Sequence, residues 1–110
     1  MIEKTVLDYL NERLDVPAYM ETPEDIRSSY VLIEKTGGGM EDQIWTATFA
    51  VQSIADTLYH AAVLNDAVIS AMLDIVNDED ISECALNSSY NFTNPQTKQH
   101  RYQAVFNLAY

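Results

Sequence analysis

Basic residues, cysteine, glycine and proline are all scarce in this 110-residue chain: six Lys plus Arg, one Cys, three Gly and three Pro. A lone Cys84 excludes an internal disulfide and fits a reducing compartment. Six basic residues against 17 acidic ones leave a net charge of −11. Nucleic-acid binders work by neutralising phosphates, so this balance argues against direct DNA or RNA affinity, and against docking on anionic lipid. The sequence has no apolar run near the roughly 18 residues a membrane helix requires. The opening Met1-Ile2-Glu3-Lys4-Thr5-Val6 lacks the net positive charge and long apolar stretch of a signal peptide, so an intracellular protein is expected. The sequons Asn87-Ser88-Ser89 and Asn91-Phe92-Thr93 then have no meaning. With 47% hydrophobic residues and few breakers, the chain can fill a core, and one α+β domain over residues 1–110 is expected.

Residues 2–14 read as an amphipathic helix, with Ile2, Val6, Tyr9, Leu10 and Leu14 at helical spacing and Asp15 and Pro17 ending it. Residues 16–21 form a short strand with Pro17 at its start. Tyr30-Val31-Leu32-Ile33 predicts a strand covered on both faces, broken by Gly37-Gly38-Gly39. Residues 36–42 are expected as a flexible loop, ordered only by a partner. Residues 43–54 alternate, with Trp45, Ala47, Phe49 and Val51 on one side and Thr46, Thr48 and Gln52 on the other.

Residues 54–77 predict a second helix with a stripe of Leu58, Ala62, Asn65, Ile69, Met72 and Val76. Val63, Leu64, Ala67 and Ala71 lie on its back, where a plain solvent face would carry more charge, so this face is expected to be a subunit interface. The acids of Asn77-Asp78-Glu79-Asp80 stand at the negative end of the helix dipole, a placement that serves solubility or function and not capping. Residues 85–93 and 101–110 alternate as two final strands joined at Asn94-Pro95-Gln96-Thr97. The expected architecture is one mixed β-sheet of about five strands with two helices packed on one face.

Chemistry-bearing patterns are few. Gly37-Gly38-Gly39 lacks the Gly-Lys-Ser/Thr ending of a phosphate loop and precedes a strand. Asp56 and His60 share a helix face four residues apart, but two ligands are too few for a metal. His100 with Lys98 and Arg101 forms the one basic cluster, read as an exposed turn and strand start. Asp74, Asp78, Glu79, Asp80 and Glu83 lack the glycine and the bidentate-Glu spacing of an EF-hand, and read as a solvated acidic edge. Cys84 reads as a packing cysteine. Asn65 sits mid-stripe, where an amide must find a hydrogen-bond partner. No nucleophile–base or metal constellation can be assembled, so neither an enzyme nor a cofactor is expected.

The segments Val16-Pro17-Ala18-Tyr19-Met20-Glu21-Thr22-Pro23-Glu24, Tyr30-Val31-Leu32-Ile33-Glu34-Lys35-Thr36-Gly37-Gly38-Gly39, Ala50-Val51-Gln52-Ser53 and Ala61-Ala62-Val63-Leu64-Asn65 carry a resemblance. So do Tyr90-Asn91-Phe92-Thr93 and Arg101-Tyr102-Gln103-Ala104-Val105. Together they resemble the tail terminator (tail-completion, minor tail) proteins of long-tailed bacteriophages and Gram-positive prophages, over nearly the whole chain. The resemblance implies an α+β virion subunit, made in the host bacterial cytoplasm. It would form a ring, commonly a hexamer, that caps the tail tube and meets the head connector or neck protein. Gly37, Gly38 and Gly39 would be its joining loop. DNA would pass through without specific binding, repelled by an acidic lumen. A head–tail connector or neck protein shares much of the pattern. A small bacterial ligand-binding or regulatory module is the alternative from another class, and it predicts a concave pocket of convergent polar groups.

Overall fold

The structure, a computed structural model, describes residues 1–24, 29–96 and 99–110. Helix α1 (Ile2–Arg13) buries Ile2, Val6, Tyr9 and Leu10, the i, i+4, i+7, i+8 stripe of an amphipathic helix. Leu14 ends it in extended conformation. The strand expected at residues 16–21 is only β1 (Ala18–Tyr19), parallel to the start of β2.

The β2–β3 hairpin departs most from expectation. Strand β2 (Tyr30–Glu41) runs straight through Gly37, Gly38 and Gly39 and pairs with β3 (Ile44–Ala55) to its last residue. The chain does not loop there. A bulge between Lys35 and Gly37 absorbs one residue, and Asp42 and Gln43, both at positive φ, make the two-residue turn. Gly38 has a packing reason to be glycine: a Cβ there would lie 2.7 Å from the Thr46 carbonyl oxygen.

Helix α2 (Leu58–Leu73) starts on Thr57, whose hydroxyl accepts the His60 N–H at 3.0 Å. It stops four residues earlier than the periodicity indicated. A break at Asp74 leads into the single turn α3 (Ile75–Asp78), which precedes β4 (Glu83–Asn91) and β5 (His100–Ala109). The sheet order is β1-β2-β3-β5-β4, antiparallel except for β1. This is an α+β fold with one five-stranded mixed sheet and helices packed on one face.

Between helices and sheet lies the core: Val31 and Ile33 from β2, Phe49 and Val51 from β3, Ala104, Phe106 and Leu108 from β5, beneath Val6, Leu10, Val68 and Met72. The α2 residues that enter it are Ala61, Asn65, Val68, Ala71 and Met72. The expected stripe is therefore rotated: Leu58, Ala62 and Ile69 sit on its flanks, and Val76 lies beyond the break, on α3. The Tyr9 hydroxyl donates to the Ala71 carbonyl at 2.6 Å, tying α1 to α2 inside the core.

Candidate functional site

Three surfaces stand out. The first is the far half of the β2–β3 hairpin. On β3 the ladder with β5 runs to Thr46 opposite Ala109, and Tyr110 N–H still donates to the Trp45 carbonyl, so sheet partners run out only at the tip. Met40, Ile44 and Trp45 at the tip are each about half exposed, at 53%, 51% and 51%. Large apolar side chains gathered on a projecting element, next to Glu41 and Asp42, mark a surface that gains by being covered. The molecule's long axis is 43 Å against 25 and 24 Å for the others.

The second is a groove of about 280 Å³ where the end of α1 meets α2, lined by Leu14, Val16, His60, Val63, Leu64 and Ala67 among others. Val63 is half exposed and Ala67 exposed, as the back-face reading requires. Ala71 does not belong with them. It is buried against α1 and its carbonyl accepts from Tyr9, so the exposed patch is Val63 and Ala67, with Leu64 partly buried beside them. The misplacement comes from the rotated stripe.

The third is the open face of the sheet, opposite the helices, which carries a network of amides and hydroxyls. The Arg101 guanidinium donates to Gln52 at 2.7 Å and also to Gln99, and Gln99 donates to the Tyr30 hydroxyl at 3.1 Å. Gln52 donates to Gln103 at 3.0 Å, and Gln103 to Tyr90. Thr48 donates to Asn107 further along at 3.1 Å. Sequence reasoning missed this network. It depends on cross-strand register between β3 and β5, which alternation alone does not set. Arg101 is thus held on the sheet and is not a free member of a basic cluster; Lys98 lies outside the described residues.

The other candidates resolve into packing and ion pairs. Asn65 is buried and its amide donates to the Ser89 hydroxyl at 2.9 Å, a bond to strand β4, while its carbonyl oxygen has no hydrogen-bond partner among the described residues. His60 and Asp56 form an exposed pair at 3.1 Å, and the hydrogen bond from His60 lowers the Asp56 pKa. Among the described residues no three His, Cys, Asp or Glu converge as for a metal.

The acidic run at the end of α2 has a local role that spacing did not reveal. Arg13 from α1 bridges Asp74 and Asp78, each at 2.6 Å, while its guanidinium sits 5.2 Å from the Tyr9 ring centre. The hydrogen bond from Arg13, aided by one from Asn77, holds the Asp74 carboxyl below its ordinary pKa. A depressed folded pKa means that ionised Asp74 stabilises the fold above the unfolded carboxylate range. That contribution is lost as pH falls through the folded value. Arg13→Gln is therefore expected to lower the urea midpoint at pH 7, and the gap to wild type should narrow progressively as pH falls below the ordinary carboxylate range. A gap that keeps its size as pH falls would show that Arg13 acts by packing alone.

Cys84 is half buried against the core, and desolvation pushes its thiol up to about 11. At pH 8 such a thiol is about one thousandth ionised, against roughly a tenth for an ordinary one, so modification by a disulfide reagent should be roughly 100-fold slower in the native protein. Fast native-state labelling would contradict that burial.

No protein-family model matches the sequence, and no curated protein matches it.

Proposed function

We propose that this chain is a virion structural protein, a tail terminator that forms a ring on the end of the tail tube and joins tail to head. The observation that carries the reading is the hairpin projecting beyond the core with Met40, Ile44 and Trp45 half exposed at its tip. In an acidic, soluble-looking surface, an apolar projection of this kind serves contact with another protein. The α2 groove at Val63, Leu64 and Ala67 supplies a second apolar contact surface. The resemblance of the sequence segments to tail terminators names the assembly in which such contacts are used. In this reading the protein acts through surfaces that bind other chains, and no bond is made or broken.

Gly37, Gly38 and Gly39 keep a part in joining, but by another physical route than a flexible loop. As strand residues they leave three successive positions of β2 without side chains just past the bulge, so a neighbouring backbone can approach that strand closely. The acidic composition fits passage of DNA without adhesion.

The test is electron microscopy of tails assembled with and without this protein. Over-long tubes lacking heads are expected in its absence. Tubes of normal length that fail only to join heads would assign the chain to the neck instead.

A further inference from the structure

We propose that the sheet continues from one copy of this chain into the next, with the β4 edge of one subunit pairing antiparallel with the β2 edge of its neighbour. This deepens the ring reading above and rests on self-assembly being what the protein does.

Both outer edges of the sheet are open. β1 covers β2 only at Val31 and Leu32, and among the described residues no strand pairs with β2 over residues 33–41. β4, nine residues long, pairs among the described residues with β5 alone. The direction of the free groups follows from alternation along each strand. Val31 N–H donates outward to Pro17, so Ile33 and Lys35 also face outward. Past the bulge the outward residues are Gly38 and Met40, because Glu41 pairs with Ile44 across the turn. On β4, Phe92 N–H donates to Arg101 of β5, so Asn91 and Ser89 face away from β5. Beyond the second bulge Leu86 and Cys84 do the same.

Soluble proteins normally blunt such edges with charge. Here β4 carries no charged residue from Cys84 to Asn91, and the β2 arm none from Thr36 to Met40, in a chain that is 21% charged overall. Rows of unpaired N–H and C=O groups without charge ask for another strand, and the occupant we commit to is a second copy. β2, β3, β5 and β4 alternate in direction, so β4 runs opposite to β2. Setting the β4 edge beside the next copy's β2 therefore extends the antiparallel order without a break. A two-fold pairing of β4 with β4 would leave each β2 edge open, whereas the head-to-tail contact occupies both edges and closes into a ring.

Size sets when this happens. A nine-residue strand junction is roughly 30 Å long and buries on the order of 600 Å² in total, below the ~1,200 Å² of a stable pair. Dilute subunits should stay apart and pair only when concentrated or held together on the tube.

The test is residue-resolved amide exchange of the full chain, dilute and at millimolar concentration, with Leu86→Pro and Leu86→Ala alongside. Leu86→Ala keeps the outward N–H. Leu86→Pro removes it without removing a bond to β5, a change an edge strand tolerates. Concentration is expected to slow exchange at least tenfold at Gly38 and Met40 together with Leu86 and Ser89, in wild type and Leu86→Ala. Leu86→Pro, which has no amide at position 86, should abolish the effect at Gly38, Met40 and Ser89, and Ala67→Glu should leave it unchanged. Protection confined to one edge would mean a two-fold dimer and overturn the proposal. So would association that Ala67→Glu blocks while the edges stay unprotected, or a failure to associate at millimolar concentration. If Leu86→Pro does not fold, wild-type protection on both edges or on one still decides. Tail length in the microscopy above reads the ring function separately: correct tube length with unprotected edges overturns only the pairing.

Discussion

Phe106→Ala is expected to cost about 3–5 kcal/mol and lower the melting temperature by roughly 12–20 °C. Phe106 is fully buried on β5 and stands directly opposite Phe49 of β3, also fully buried, on the sheet face under α2. Removing one ring leaves a void against a partner held by its own strand, so the cavity cannot close by a simple shift. Substitution to Leu keeps most of the volume and should cost less than half as much. Thermal unfolding followed by circular dichroism measures both. A cost near 1 kcal/mol for Phe106→Ala would mean the β3–β5 centre is loosely packed, and would weaken the case for a rigid sheet carrying the hairpin.

Trp45→Ser is expected to have the opposite profile, with little effect on the fold and a large one on assembly. Trp45 alternates with Ala47 and Phe49 on the core side of β3, yet it lies past the helices, half exposed, and its backbone carbonyl accepts from Tyr110 N–H whatever the side chain. Stability should change by no more than about 0.5 kcal/mol. A large aromatic at the centre of a contact is often worth 2 kcal/mol or more, so on the proposed function, attachment to the tube or connector should weaken about 30-fold or further. The chain's only tryptophan reports on this directly. Its emission should move to shorter wavelength when the tip is covered. If wild-type emission stays that of a wetted indole in finished tails, the tip is not a contact.

Much of the architecture was legible because it rests on period and composition. The 3.6-residue repeat of Ile2, Val6, Tyr9 and Leu10 yields α1, and the two-residue repeat of Ala47, Phe49 and Val51 yields the buried face of β3. Asn65 was legible as a polar residue needing a partner, although not that the partner is Ser89 on β4. The contact surfaces were less legible. Three adjacent glycines carry a local preference for disorder, and strand pairing overrode it, since β3 offers a ladder to every residue up to the turn. Ala71 read as back-face because alanines and valines ring α2, so the stripe could turn by one residue at little cost in apparent hydrophobicity.

Composition and periodicity alone determined the α+β class, the acidic composition and the presence of two main helices and five strands, because each depends on residues close in the chain. The order of the strands, the bridge from Arg13 to Asp74 and Asp78, the amide network across the open face and the two free edges were decided only in three dimensions. Each of these joins residues far apart in sequence, and which partner each one meets is set by how helices and sheet share a single core.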